Sequence, residues 1–209
     1  MADYKILLEE AQGEIIEKKS RFIAYIKPVQ SEDEAASFIE SIRKKHYDAR
    51  HNCSAFVIGD NNEISRCSDD GEPSGTAGRP MLEVLTKEGY HNVCAVVTRY
   101  FGGVLLGTGG LIRAYQGSLK EGLDNAKKAK VIEGIRQHIT VSYNDIGKIL
   151  NSSKEDGYIL ENVEYGENIT FDLITEKEAY DKAFKDIVNI TNGQARADEP
   201  ALDKIIINI

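Results

Sequence analysis

Polar and apolar positions alternate from Glu14 to Val29, most clearly over Arg21 to Ile26, and the period of two predicts extended strand. Ser31 and Glu34 then spell a capping box. Behind it the period lengthens, with Ala35, Phe38, Ile39 and Ile42 on one helical face. Arg43, Lys44 and Lys45 sit where the negative end of that helix dipole favours cations. Cys53 to Ile58 reads as a strand, Asp60-Asn61-Asn62 as a turn, and Glu63 to Ser68 as the returning strand. Pro80 and Gly89 frame a short helix carrying Met81, Leu82 and Leu85. Val93 to Val97 is apolar throughout, the pattern of a strand covered on both faces. A Gly-rich connection and a long helix with the stripe Ile112, Tyr115, Leu119 and Leu123 complete this block.

A second block begins after Lys127-Lys128-Ala129-Lys130. It opens with a strand over about Ile132 to Tyr143 and a short helix, capped by Asn144, that carries Ile146, Ile149 and Leu150. Strands near Tyr158 to Tyr165 and Asn168 to Ile174 flank Gly166. Thr175 with Glu178 offers another capping box ahead of Tyr180, Ala183, Phe184 and Ile187, and a strand at about Lys204 to Ile207 comes last. The order is β-α-β-β-α-β, a ferredoxin-like split unit. The expected fold class is α+β, with domains at 1–130 and 131–209, each having enough apolar positions for a core of its own.

Composition changes this picture little. With 41% hydrophobic and 29% charged residues, 4 Pro and no Trp, the chain has the make-up of a globular protein. No apolar run approaches the roughly 18–20 residues that a membrane helix needs. Asp3, Glu9 and Glu10 stand where a signal peptide would be basic and then apolar, so a cytoplasmic protein with no membrane partner is expected. Cys53, Cys67 and Cys94 make no C-x-x-C pair and no zinc spacing, which suits reduced thiols. The net charge of −8 is unevenly spread: residues 1–130 carry 18 Lys and Arg against 19 Asp and Glu, residues 131–209 only 8 against 15. The acidity belongs to the second domain, and the first is free to carry a local basic face.

Candidate chemistry concentrates in two segments. Ser68-Asp69-Asp70-Gly71-Glu72-Pro73-Ser74-Gly75-Thr76-Ala77-Gly78-Arg79-Pro80 places three carboxylates in four positions, as a metal site or an acid/base pair would. Neighbouring residues rarely point the same way, however, and acidic residues beside Gly and Pro favour turns. A structured turn outweighs a metal site, and no metal is expected. A calcium loop starting at Asp60 fails, with Ile64 and Ser65 where a ligand and a glycine belong. Gly71, Gly75 and Gly78 leave backbone N–H groups open to an anion or a partner carbonyl, with Arg79 nearby.

The other segment runs Thr98-Arg99-Tyr100-Phe101-Gly102-Gly103-Val104-Leu105-Leu106-Gly107-Thr108-Gly109-Gly110-Leu111-Ile112-Arg113-Ala114-Tyr115, from a buried strand into a helix, where Gly-rich loops cradle phosphate. Gly102 and Gly107 match the outer glycines of a Walker A loop, but Thr108 stands in place of its Lys and Gly109 in place of its Ser or Thr. The dinucleotide pattern, counted from Gly107 and Gly109, meets Ile112 at its third glycine. No cofactor is expected. Two readings stay open. One is tight turns for packing. The other is an anion-binding surface of open backbone, Gly103 and Gly110 included, flanked by Arg99, Arg113, Tyr100 and Phe101, which would also suit RNA.

Both segments resemble the signatures of the IMPACT/YigZ family, and a weaker third element, His51-Asn52-Cys53, precedes its strand as in relatives. The resemblance extends over essentially the whole chain, since bacterial members carry a C-terminal ferredoxin-like domain. It implies a first domain of the type shared by a ribosomal small-subunit protein and a domain of elongation factor G. The second is similar to other domains of that factor. Eukaryotic relatives regulate translation by interfering with activation of an amino-acid-starvation kinase, largely through an additional N-terminal domain. Here the stretch before Ser68 is taken up by the first domain's own elements, so that role is not carried over. What the resemblance implies is a ribosome- or RNA-linked binding protein, with no established reaction.

The expected function is a translation-linked regulatory binding protein. Arg79, Arg99, Tyr100, Phe101 and Arg113 would contact RNA, the ribosome or a translation factor, with Lys44, Lys45 and Arg50 as an electrostatic margin or a solvated helix end. The alternative is a hydrolase or transferase on a small anionic or peptide substrate, drawing on His51, Cys53 or Cys67, Asp69, Asp70 and Glu72. His51 and Cys53 lie two apart on one side of a strand, the minimum a Cys/His pair needs, yet no third residue orients them. A protein-interaction scaffold on the ferredoxin-like sheet is a third reading.

Overall fold

The computed structural model describes residues 3–209. It is a mixed α+β structure of two compact units, one built on Tyr4–Lys130 and the other on Val131–Ile207. The first contains β1 (Tyr4–Leu7), β2 (Ala11–Glu17), β3 (Ser20–Pro28), α1 (Glu32–Lys45), β4 (His51–Ile58), β5 (Ile64–Ser68), α2 (Gly78–Lys87), β6 (Val93–Tyr100) and α3 (Gly107–Asp124). Five of these strands make an antiparallel sheet in the order β2-β3-β6-β4-β5. Strand β6 is therefore hydrogen-bonded on both sides, with Val97 opposite Ala24 of β3 and Cys53 of β4.

Both faces of that sheet are covered. Helix α1 packs Phe38 and Ile42 against Ile23, Tyr25 and Val96. Helices α2 and α3 bring Met81, Leu85, Tyr115 and Leu119 onto Phe22, Ala55 and Val97 on the other side. The unbroken apolar run Val93–Val97 follows from this position: every one of its residues is fully buried. Enclosing a Val or Leu side chain is worth about 1.5–3 kcal/mol, so the central strand anchors the residues that follow it.

Several local expectations need correction. The stretch Glu14–Val29 is not one strand but a hairpin that turns at Lys18 and Lys19, both with positive φ (46° and 66°). Two-residue hairpin loops demand that conformation, and two lysines do not advertise it. Ser31 does cap α1, its Oγ accepting the Glu34 N–H at 3.2 Å, while Glu34 reaches back to the Gln30 N–H at 2.8 Å. Pro80 is the third residue of α2, and Gly89 (φ +74°) follows that helix. In α3 the buried stripe uses Leu111 rather than Ile112, and the helix already begins at Gly107, inside the expected Gly-rich loop. Strand β1 has no counterpart in the sequence reading.

The second unit holds most of β7 (Lys128–Val141), then α4 (Tyr143–Asp156), β8 (Ile159–Tyr165), β9 (Ile169–Glu176), a 3-10 turn at Lys177–Ala179, α5 (Tyr180–Ile190), β10 (Arg196–Ala197) and β11 (Ala201–Asn208). Its sheet runs β11-β7-β9-β8, with β10 also paired to β7. Ile146 and Ile149 of α4 and Ala183 and Ile187 of α5 pack on Ile139, Phe171 and Leu173. Ser142, not Asn144, caps α4, its Oγ accepting the Asn144 N–H at 3.2 Å. Thr175 lies inside β9, so the second capping box is not formed.

Candidate functional site

The loop from Ser68 to Pro80 is held together by its carboxylates, each facing a different way. Asp69 Oδ1 accepts the N–H groups of Ala77 (3.0 Å) and Gly78 (2.8 Å), and Oδ2 that of Gly75 (2.8 Å). It thereby satisfies orphan donors at the start of α2, whose own cap residue, Ala77, has no side-chain oxygen. Gly78 permits the approach, since a Cβ there would lie 2.7 Å from the Ser68 backbone. Asp70 (φ +43°) accepts Arg43 Nη2 at 2.9 Å and the Asn52 N–H at 2.7 Å. The Asp70 carbonyl lies 2.9 Å from His51 Nδ1; a carbonyl only accepts, so Nδ1 carries the proton.

Glu72 turns inward. Its Oε1 accepts Arg99 Nη1 at 2.7 Å and the Tyr115 hydroxyl at 2.8 Å, in a pocket where the acid and base side chains are only 3% and 8% exposed. The single Cys53 S–H has two acceptors within reach, the Asp69 carbonyl at 3.0 Å and the Tyr115 oxygen at 3.3 Å. The tip of the loop, Pro73 to Gly75, is exposed, with Thr76 Oγ1 donating to the Pro73 carbonyl at 2.7 Å. Among the described residues no group of His, Cys, Asp and Glu is placed to hold a metal ion.

Strand β6 delivers Arg99 and Tyr100 to the same end of the sheet. The Arg99 guanidinium carbon sits 5.4 Å from the Phe22 ring centre and 5.5 Å from that of Phe101. Tyr100 donates to Asp48 Oδ1 at 2.8 Å, and its oxygen therefore accepts His46 Nδ1–H at 2.9 Å. That leaves His46 Nε2 to accept the Tyr25 hydroxyl at 2.7 Å. Burial, then the Lys45 charge, push the His46 pKa below its ordinary value. Beyond Tyr100 the chain passes the β2–β3 turn so closely that a Cβ on Gly102 would lie 2.0 Å from the Lys19 carbonyl carbon. The connection then projects Phe101, Val104 and Leu105, which are 52%, 42% and 83% exposed. Gly103 and Gly107 have positive φ, and with Gly107, Gly109 and Gly110 the first turn of α3 carries only one side chain, that of Thr108.

At this end lies a groove of about 530 Å³, lined by Asp48, Arg50, His51, Arg99, Tyr100, Phe101 and Leu105 among others. Of the basic residues singled out in the sequence, Arg99 lines the groove but is committed to Glu72. Arg113 is exposed on the first turns of α3, with no carboxylate within ion-pair distance among the described residues. Arg50 is likewise exposed and has no ion-pair partner among the described residues. Arg79 lies on α2 beside Glu83, at 3.5 Å.

The profile of the Impact N-terminal domain matches residues 18–123, and one described as a domain of unknown function (DUF1949) matches residues 139–194. The IMPACT family member YvyE of Bacillus subtilis is 44% identical over 199 residues, 95% of this chain and 92% of that protein. The chain belongs to the IMPACT family. A second family member, YigZ of Escherichia coli, is 50% identical over 108 residues, 51% of this chain and 53% of that protein. A crystal structure of a hypothetical protein, 31% identical, covers 94% of this chain and 97% of its own, with a TM-score of 0.60. In this IMPACT family chain the matched first domain contains both signature segments and the whole groove.

The residues of the enzymatic alternative come close together, but among the described residues no hydrogen bond joins His51 to a cysteine. Cys53 is buried, and desolvation pushes its thiol far above the ordinary range; Cys67 is exposed, and its pKa is raised by partial burial and by Asp69. A nucleophilic cysteine needs the opposite shift. Asp69, Asp70 and Glu72 are each spent on a separate structural contact. Asp48, His46, Asn52 and Arg43 were not singled out as site residues, because their partners lie 18 to 54 positions away and no local pattern joins them.

Proposed function

We propose that this IMPACT family chain is a cytoplasmic, translation-linked binding protein whose first domain contacts ribosomal RNA through the groove and the glycine-rich start of α3. The observation that carries the reading is an exposed cation, Arg50, in one groove with the exposed side chains of Phe101 and Leu105. Among the described residues Arg50 and Arg113 have no carboxylate partner; Arg50 lines the groove with Phe101 and Leu105, and Arg113 lies on α3, which follows them in the chain. Cations neutralise phosphates, and aromatic faces next to open backbone suit unstacked bases. The glycine-rich first turn of α3, with Thr108 its one side chain, adds oriented N–H groups for an anion.

Family membership supports the link to translation, since the resemblance implies a ribosome- or RNA-associated role. The second domain's strand order, β11-β7-β9-β8 from a β-α-β-β-α-β chain, supports the ferredoxin-like arrangement expected of an elongation-factor-G-like domain. That domain holds most of the chain's net negative charge and would set orientation or exclude a competing factor rather than bind phosphate. The test is sedimentation of the protein with ribosomes from a lysate: it should travel with the particles at low salt and be released as salt rises. Protein that stays in the supernatant at low salt contradicts the proposal.

A further inference from the structure

The groove bordering Arg99 has features that a general phosphate-contacting surface does not need. Its volume, about 530 Å³, falls within the roughly 300–1,000 Å³ typical of small-ligand sites. One wall is Phe101, which is half exposed and has the Arg99 guanidinium against its ring. Arg50, an exposed cation with no carboxylate partner among the described residues, also lines the groove. Asp48 accepts Tyr100 with Oδ1, leaving Oδ2 for another donor. The fourth feature is internal. Among the described residues three buried side-chain polar atoms have no hydrogen-bond partner, and one is Arg99 Nε, on a lining residue whose side chain is 92% buried. A buried donor without an acceptor is destabilising unless something completes it.

We propose that this groove is a binding site for one unpaired nucleotide of an RNA single strand, its base stacked on Phe101 and its phosphate held by Arg50. The inference deepens the RNA-contact reading above and rests on it. Stacking requires a free base face, which a nucleotide inside a duplex does not offer, so the site selects single strands. The open oxygen of Asp48 matches the exocyclic amino group of adenine or cytosine. A base or ribose acceptor that enters as the Phe101 ring shifts completes the Arg99 Nε–H. Lys18 and Lys19, exposed on the turn that Gly102 packs against, carry positive charge onward for flanking phosphates.

The experiment is fluorescence anisotropy of the full chain with a labelled oligoadenylate, single-stranded or annealed to oligouridylate. The single strand should bind at least about ten-fold more tightly than the duplex. Phe101→Leu keeps apolar cover over Arg99 but removes the aromatic face, and should weaken binding by about ten-fold, within the range of one lost stacking contact. Phe101→Tyr should bind like the parent. Arg50→Ala should weaken binding and lower the salt slope by about 0.7, one phosphate's worth on a single strand. Equal affinity for duplex and single strand, or an unchanged Phe101→Leu affinity, overturns the proposal. Ribosome association without any oligoadenylate binding removes the nucleotide site and leaves the wider reading standing. Oligoadenylate binding without ribosome association does the reverse.

Discussion

Arg99 and Glu72, 27 positions apart, form a buried ion pair that locks the two signature segments together. Arg99 Nη1 meets Glu72 Oε1 at 2.7 Å beneath the Phe101 ring, and Tyr115 of α3 donates to the same oxygen. Strand β6, helix α3 and the loop ahead of α2 are thus tied at one point, on which the groove is built.

Removing one partner of this pair strands the other charge in a desolvated site. Arg99→Ala and Glu72→Ala should each lower stability by about 3–5 kcal/mol, read from the denaturant midpoint. Arg113→Ala, at an exposed position, should stay within about 0.5 kcal/mol of the parent. Equal, small effects at Arg99 and Arg113 would mean that the pair is not buried in solution.

His46 makes an acid-side prediction. Its pKa is held below the ordinary 6.5, chiefly by burial, so the unfolded chain takes up a proton at a higher pH than the folded one. This contribution to stability is full above about pH 6.5 and declines as pH falls toward the folded pKa. Chemical denaturation between about pH 6.5 and 5, before most carboxylates titrate, should show the decline. His46→Gln should flatten it; a parallel decline in the variant would place its origin elsewhere.

The thiols should separate cleanly. Cys67 is exposed, whereas Cys53 and Cys94 are buried, with the Cys94 pKa pushed up to about 12 by desolvation. Iodoacetamide at mildly alkaline pH should therefore label Cys67 alone in the native protein, and all three only after unfolding. Rapid native labelling of Cys53 near neutral pH would revive the enzymatic alternative.

The sequence carried the sheet's central strand and most helices, because burial on both faces or along a stripe writes itself into local periodicity, as at Val93–Val97 and at Ala35, Phe38 and Ile42. It also marked both glycine-bearing segments. It did not carry the assignments within them. Asp69 as the acceptor at the start of α2, and Glu72 as the partner of Arg99, depend on chain segments brought together only by the fold. The Lys18-Lys19 turn stayed hidden for a local reason: positive φ there is imposed by hairpin twist, with no Gly or Asn to announce it.

The two compact units lead to a fragment prediction. Residues 4–130 contain both clusters around the five-stranded sheet, and 131–207 contain the cluster around α4 and α5. We propose that fragments 1–130 and 131–209 each fold as a domain, and each should give a cooperative melt followed by circular dichroism. Broad, non-cooperative loss of signal from both would show that neither core suffices alone.

The most direct test of the central claim is the salt dependence of binding to purified ribosomes, measured by sedimentation for the parent, Arg50→Ala, Arg113→Ala and the double variant. If the surface around Phe101 meets RNA, each substitution removes a phosphate contact while leaving the fold intact. The logarithmic salt slope should then flatten by about one for each arginine, with affinity falling further in the double variant. Parent-like affinity and slope in the double variant would contradict the account, since binding would then reach the ribosome through some other face of the protein.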